Sequence, residues 1–198
     1  MDAVFTTTYP EHEVAVELSN YLKKKDGFSI TIPLSRQQKG FDLLVYSLNR
    51  RKAATIQIKS SRSYRQRPPK RTRRNSCYHY ALWFKNFEWR RAQADFYVLF
   101  GLYAHRLKDN LKRARTTRKW WAHRLFLFSD KEMGEFLNRL STTKSGKRAR
   151  FFSVHFNDDS RDAYLVRGAT GDRPESMTEF SLDQRHALIR GFLVHSIS

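Results

Sequence analysis

Apolar residues follow two different spacings along the N-terminal half of this chain. Over residues 8–25 they recur at helical spacing, at Val14, Leu18, Tyr21 and Leu22, which predicts a helix that Asp26-Gly27 ends. Shorter apolar runs then predict strands over 28–32, 41–47 and 53–59. The segment Asn49-Arg50-Arg51-Lys52 separates the last two strands and predicts a hairpin turn.

The remainder of the chain alternates apolar segments with charged ones. Aromatic and aliphatic runs predict strands over 78–84, 95–104, 123–128 and 151–156. Helical spacing predicts helices over 85–94, 130–140 and 181–195. The order of a helix, three strands, an irregular segment and a further strand predicts an α+β (α/β) fold. We expect a mixed central sheet flanked by helices.

No internal repeat and no linker divides the chain, so we expect one domain over residues 1–198. Its core is expected over 8–104 and 121–156, and its last element is the helix over 181–195. Three segments rich in Lys and Arg are expected to be loops: 60–76, 105–120 and 141–150.

Two of the predicted strands carry polar side chains where a buried strand would favour apolar ones. A two-residue loop in the hairpin would pair Asp42 with Gln57, and a four-residue loop would pair Asp42 with Lys59. Side chains alternate between the two faces of a sheet, so either register places these three residues on one face. Ile56 and Ile58 then lie on the other face. The sequence predicts an acid, an amide and an amine meeting on one side of a sheet.

One carboxylate of the first helix is oriented to join this group. At 100° per residue, Glu11 lies on the same stripe as Val14 and Leu18, so we expect its side chain to face the sheet. Glu13 lies further round the helix and is the second choice. Thr8 and Glu11 also form a capping-box pattern, which leaves a purely structural role for Glu11 open.

The charge of the chain indicates a polyanionic partner. The net charge is +19, from 38 basic and 19 acidic residues. A field of that sign and size suits nucleic acid. An anionic membrane is the rival, but no basic amphipathic helix with an apolar face stands out, so we expect no membrane partner. The cations of the basic segment that follows the Lys59 strand are expected to bind a phosphate backbone: Arg65, Arg67, Lys70, Arg71, Arg73 and Arg74.

Several other classes of function have no support in the sequence. The only cysteine, Cys77, allows no internal disulfide, and the His residues show no zinc-binding spacing. No Walker-type glycine-rich loop is present, so we expect no nucleotide cofactor. No signal peptide and no membrane-spanning run is visible, and we expect a cytoplasmic protein.

The string from Glu11 to Lys59 resembles the PD-(D/E)xK nuclease superfamily, in a variant with Q-x-K as the last motif. Asp42 matches the motif Asp, and Gln57-Ile58-Lys59 matches the last motif. The resemblance covers roughly residues 8–104 and implies a restriction-endonuclease-like core. Two residues depart from the pattern: Phe41 stands where Pro is common, and Gln57 stands where Glu is common.

The resemblance implies a metal-dependent DNA endonuclease that hydrolyses phosphodiester bonds. It implies Mg²⁺, with Mn²⁺ as a substitute, held by Asp42, Gln57 and the carbonyl of Ile58. Glu11 is expected to assist, and Lys59 to orient the attacking water or stabilise developing negative charge. Because Gln57 offers only a neutral oxygen, we expect weaker metal binding than an acid would give.

Two alternatives to a nuclease remain open at this point. The first is a catalytically inactive module that keeps the nuclease fold and binds nucleic acid. The second is a basic RNA-binding protein. For the nuclease, the expected partner is duplex or branched DNA. Symmetric cutting of both strands usually needs a homodimer, and no dimer interface is readable in the sequence.

Overall fold

The computed structural model describes residues 9–33, 40–65, 78–85, 89–104, 121–140, 151–157, 160–169 and 173–195. Within these ranges lie three α-helices: α1 (Tyr9–Tyr21), α2 (Asp130–Arg139) and α3 (Leu182–Val194). The strands are β1 (Phe28–Thr31), β2 (Leu43–Ser47), β3 (Lys52–Arg65), β4 (Tyr80–Lys85), β5 (Phe96–Ala104), β6 (Trp121–Ser129), β7 (Phe151–Phe156), β8 (Ala163–Arg167) and β9 (Glu175–Ser176). Short 3₁₀ turns cover Lys24–Asp26 and Thr178–Phe180.

Strand β3 is 14 residues long and belongs to two sheets. Its first part joins the helix-side sheet, in the order β1-β2-β3-β5-β6, where β3 and β5 run parallel and the other pairs are antiparallel. Its last residues pair with β4 and begin the outer sheet, in the order β3-β4-β7-β8-β9, which is antiparallel throughout. Strand β3 therefore connects the two layers of the fold.

Two apolar clusters explain why the layers pack as they do. One lies between the two sheets and contains Leu82, Tyr97 and Phe152, with α2 contributing Met133 and Phe136. The other lies on the opposite face of the helix-side sheet. It contains apolar residues of β2, β3, β5 and β6 together with the inner faces of α1 and α3: Val14, Leu18, Leu43, Val45, Ile56, Ile58, Phe100, Leu127, Ile189 and Leu193.

Local signals account for the ends of several elements. Ser129 caps α2, and the side chain of Glu132 bonds back to the Ser129 N–H, which completes a capping box. Gly27 has a φ of +82° and leads from the 3₁₀ turn into β1. A β-carbon there would lie 2.5 Å from the Asn49 side chain, so this turn requires glycine.

The α+β fold class with a mixed sheet and flanking helices is confirmed, and most elements lie close to their predicted positions. The helix predicted over 85–94 is wrong for its described part, because residues 89–94 form a turn. Trp89 Nε1 and the Ala92 N–H both donate to the Asp130 carboxylate, and these tertiary bonds hold the turn.

The strand β3 also extends further than predicted. Residues 60–65 were expected to begin a basic loop, but they pair with β5 and then with β4. The rest of that segment and the basic segments over 105–120 and 141–150 lie outside the described residues. Strands β8 and β9 were not predicted. Among the described residues, no helix has the length and apolar composition needed to cross a bilayer.

Candidate active site

The hairpin of β2 and β3 determines which side chains share a face. Leu43 lies opposite Ile56 and Ser47 opposite Lys52. Continued by one residue, this register places Asp42 opposite Gln57, which is the first of the two predicted pairings. The turn itself covers the four residues 48–51, with Arg51 at a φ of 50°. The Leu48 N–H donates to the Gly27 carbonyl and anchors the turn to the neighbouring loop.

This register brings Asp42, Gln57 and Lys59 to one side of the sheet. Ile56 and Ile58 belong to the cluster beneath α1 and α3. Gln57 and Lys59 alternate with them along β3 and so emerge on the opposite face. The β2 ladder ends at Ile56, and the β4 ladder begins at Ser63. The two polar side chains of β3 therefore lie in the interval between the partner strands.

Asp42 is held by two backbone contacts to β3. Its N–H donates to the Ile56 carbonyl at 2.8 Å, and its Oδ2 accepts from the Ile58 N–H at 2.6 Å. Burial raises the pKa of the Asp42 carboxyl, while the Ile58 N–H and the charge of Lys59 act to lower it. Burial is the largest effect, so the carboxylate is fixed in a partly desolvated position beside a cation.

Glu11 reaches the same region from the first turn of α1. Val14 and Leu18, on the same stripe, are fully buried, as the helical spacing predicted. The pKa of Glu11 is raised chiefly by burial; its own backbone N–H lowers it, and the charge of Asp42 raises it again. The two carboxylates are therefore close enough to repel each other. Thr8, the other half of the capping-box pattern, lies outside the described residues.

Glu13, the second choice for the helix carboxylate, has a different partner. Its Oε2 lies 3.6 Å from Nδ1 of His123, whose Nε2 lies 3.1 Å from Oε1 of Glu17. This network joins α1 to β6 and involves neither Asp42 nor Gln57 in the contacts of the described chain. Glu11 is thus the helix acid that faces Asp42.

Glu11 and Gln57 each have one side-chain oxygen that is buried without a hydrogen-bond partner in the described part of the chain: Oε2 of Glu11 and Oε1 of Gln57. Buried acceptors of this kind are rare in folded proteins because leaving one unsatisfied costs roughly 1–3 kcal/mol. With the Asp42 carboxylate they form an all-oxygen set, which a hard divalent cation prefers. The residues present therefore fit the metal that the resemblance implies.

The composition of this set departs from the commonest metal sites. No group of three His, Cys, Asp or Glu suited to a metal occurs among the residues that the structure describes. Here the third oxygen comes from the amide of Gln57 rather than from an acid. Ile58, whose carbonyl was expected as a further ligand, lies between Gln57 and Lys59 on β3.

Most of the predicted phosphate-binding residues lie outside the part of the chain that the structure describes. Arg65 is the last residue of β3 and pairs with Tyr80 through the backbone. Arg67, Lys70, Arg71, Arg73 and Arg74 lie outside the described residues. Phe151 and Arg167, which lie on the outward face of the outer sheet, were not among the predicted site residues. The alternation of residues along 151–156 was the available signal for Phe151.

Comparison with known proteins finds similarity at the level of solved structures. No family model and no curated protein matches this chain. A solved structure with a similar arrangement is that of a bacterial homing endonuclease, I-Ssp6803I. The two chains are 11% identical with a TM-score of 0.44, over 97% of this chain and 99% of the other. At this identity no residue role can be transferred from the endonuclease to this chain. The candidate site is therefore argued from the geometry of this chain alone.

Proposed function

We propose that this protein is a divalent-metal-dependent DNA endonuclease that hydrolyses phosphodiester bonds. The observation that carries the proposal is that Glu11 Oε2 and Gln57 Oε1 are buried without partners in the described chain, while Gln57 lies opposite Asp42 in the strand register and the charge of Asp42 acts on Glu11. An isolated Asp and Lys on neighbouring strands would make an ordinary cross-strand pair. Such a pair needs no second carboxylate and no unsatisfied amide.

Asp42, Glu11 and Gln57 would hold Mg²⁺ or Mn²⁺, with the Ile58 carbonyl as a further oxygen. When bound, the cation supplies positive charge that polarises the scissile phosphate and activates a water molecule. The Ile58 N–H keeps the Asp42 carboxylate in one orientation, so little ordering is needed on binding. Lys59, on the same face, supplies a donor for the negative charge that develops on the phosphate.

The net charge of +19 supports DNA as the partner. Cutting both strands symmetrically would need a homodimer on DNA, which sedimentation with and without a duplex would detect.

A plasmid-nicking assay with Mg²⁺ or Mn²⁺ tests the proposal. Asp42→Asn and Lys59→Ala should each abolish nicking. Matched controls are Asp26→Asn and Lys131→Ala, both at exposed positions, and these should leave activity unchanged. Nicking that persists in both site variants would refute the assignment.

The neutral amide of Gln57 favours a second candidate, a nucleic-acid-binding module without catalysis. A carboxylate would bind a divalent cation more strongly than an amide does. Calorimetry separates the two candidates. Salt-sensitive DNA binding with no measurable heat from Mg²⁺ or Mn²⁺ would favour the binding module. Preference for RNA in a competition assay would favour an RNA-binding protein instead.

A further inference from the structure

The outer sheet presents an aromatic face away from the core. Phe152, Val154 and Phe156 of β7 point into the cluster between the sheets, so Phe151 and His155 lie on the other side of the strand, with the buried Ser153 between them. On the neighbouring strand, Trp83 pairs with Ser153 and shares this outward face. The Trp83 and Phe151 rings stack with centroids 5.0 Å apart and an interplanar angle of 17°. Both rings are only partly buried.

The same face continues towards the other end of the strands. His155 meets Trp83 edge to face at 6.0 Å and Tyr78 at 5.8 Å. Tyr78 in turn lies 5.3 Å from Tyr164 of β8. Burial lowers the pKa of His155 to about 4, so its ring is neutral at physiological pH and adds aromatic surface rather than charge. Five partly buried rings thus form a continuous row, here named the aromatic face: Phe151, Trp83, His155, Tyr78 and Tyr164.

Two exposed cations lie at one end of the aromatic face. The guanidinium of Arg167 lies 4.4 Å from the centre of the Phe151 ring, and Nζ of Lys85 lies 5.5 Å from it. Strands β4, β7 and β8 contain no Asp or Glu. The outward face of an antiparallel sheet is commonly polar. A surface with rings and cations but no acids suits nucleic acid, because bases stack on the rings while phosphates pair with Arg and Lys.

The aromatic face is joined to the strand that carries the candidate site. Ser61, two residues beyond Lys59 on β3, donates its hydroxyl to the Trp83 carbonyl at 2.9 Å. It also accepts from the Trp83 N–H at 3.0 Å. The backbone of Trp83 is therefore fixed to the same strand as Gln57 and Lys59. One strand therefore carries Gln57 and Lys59 and also anchors the backbone of the aromatic face.

We propose that the aromatic face binds unpaired nucleotides of the nucleic acid. The substrate class is then a nucleic acid in which a duplex adjoins a single-stranded segment. In a continuous duplex the bases are stacked on one another and offer no free surface to Trp83 or Phe151. The expected preference for cutting such a substrate rests on the proposed endonuclease function. Binding at the aromatic face does not depend on that function.

Fluorescence anisotropy in EDTA, where no cleavage occurs, tests the binding surface with three labelled DNAs: a single strand, a blunt duplex and a duplex with a single-stranded tail. Trp83→Leu and Phe151→Leu should each weaken binding of the single strand and the tailed duplex roughly five- to one-hundred-fold. The blunt duplex should lose less. The double variant Lys85→Gln/Arg167→Gln leaves the rings in place and should weaken the same two ligands.

Two control variants lie on other elements. Trp121 is 57% exposed at the start of β6, so Trp121→Leu removes a ring that is more accessible than that of Trp83. Lys131→Gln removes an exposed cation from α2. Both should bind all three DNAs as the parent does. Trp83→Phe retains a stacking ring and should lose little, which distinguishes lost stacking from lost folding. Thermal unfolding of every variant checks that the fold is kept.

Unchanged binding of the single strand in the Lys85→Gln/Arg167→Gln protein would overturn the proposal, and so would equal losses for all three DNAs. If Trp83→Leu sediments as a smaller species than the parent with unchanged binding, the aromatic face joins two copies of the chain, which also overturns it. Asp42→Asn should keep the preference for tailed DNA while losing cleavage. Because binding and cleavage are measured separately, failure of the endonuclease proposal can be distinguished from failure of the aromatic-face proposal.

Discussion

The backbone N–H of Ile58 donates a 2.6 Å hydrogen bond to the carboxylate of Asp42. This bond fixes the acid where the ladder between β2 and β3 ends, directly opposite Gln57 in the register. The contact has two consequences that substitutions can separate. It satisfies a backbone donor of β3, which is structural, and it orients a partly desolvated carboxylate, which is the chemical requirement for holding a cation.

Substituting Asp42 by Asn and by Ala should separate these consequences. Asn retains an oxygen that can accept from the Ile58 N–H. The free energy of unfolding of Asp42→Asn, measured in urea, should therefore be close to that of the parent. Asp42→Ala leaves the Ile58 N–H without its acceptor and should be less stable by about 1–2 kcal/mol. Calorimetric titration with Mg²⁺ should show binding lost in both variants. Binding retained in Asp42→Asn would contradict a role for the charge.

Gln57 should lower the stability of the metal-free protein and contribute to cation binding. Its Oε1 is buried without a partner in the described chain. Gln57→Met has similar volume and removes the unsatisfied oxygen, so the metal-free protein should become more stable, by about 1 kcal/mol. The same variant should lose Mg²⁺ binding, whereas Gln57→Glu should bind the cation more tightly. A Gln57→Met protein that is less stable and still binds Mg²⁺ would argue against the site.

Glu11 and Asp42 should make stability depend on pH and on divalent cations. The pKa of each is raised in the folded protein, chiefly by burial, above ordinary values of 4.5 and 3.8. The folded state then holds these protons more tightly. Their contribution to stability is complete below the ordinary values and is lost as pH rises through the raised ones. Once both are charged, desolvation together with the repulsion between Asp42 and Glu11 opposes folding.

A bound cation should offset the destabilising effect of the charged Glu11 and Asp42 carboxylates. Thermal unfolding at pH 7 should shift upward with Mg²⁺, because a ligand that binds the folded state alone stabilises it by mass action. Glu11→Gln removes one of the two charges, so the metal-free variant should unfold at a higher temperature than the parent and respond less to Mg²⁺. Equal Mg²⁺ shifts in the parent and in Glu11→Gln would leave Glu11 without a role in cation binding.

The common face of Asp42, Gln57 and Lys59 was predictable because side-chain alternation leaves few choices. Both hairpin registers gave the same answer, and only the partner of Asp42 depended on the turn. The raised pKa of Glu11 was not predictable, since it results from burial and from the charge of Asp42, which lies far away in sequence. The single-domain prediction and the catalytic roles stay predictions.

The errors in the predicted elements also have tertiary causes. The turn over 89–94 is held by Asp130, which lies about 40 residues later in the chain. Residues 60–65 looked like a basic loop by composition, yet β4 and β5 both pair with this part of β3. Local propensity is weaker than such partner strands when the two disagree.

Gly101 should be essential for the packing of the two sheets. A β-carbon at this position of β5 would lie 2.2 Å from Cδ1 of Leu82, which is fully buried between the sheets. Because the buried Leu82 side chain would have to shift within the packed cluster, Gly101→Ala should destabilise the protein by about 1–3 kcal/mol in urea unfolding. Gly191 of α3 is the matched control: its nearest neighbour would lie 3.9 Å away. Gly191→Ala should stabilise the helix by about 0.5–1 kcal/mol.

His155 should give the stability of the protein a pH dependence of the opposite sign to that of Glu11 and Asp42. Burial lowers its pKa from 6.5 to about 4, so the unfolded chain takes up the proton first. The free energy of unfolding should therefore fall as pH is lowered from about 6.5 towards 4. His155→Gln removes this group, and the difference between the two urea-unfolding profiles isolates its contribution, since the other titrating groups are shared. An NMR titration should find the His155 ring neutral at pH 6. A midpoint near 6.5, or identical pH profiles for the parent and His155→Gln, would place this ring in water and not in the packed row beside Trp83.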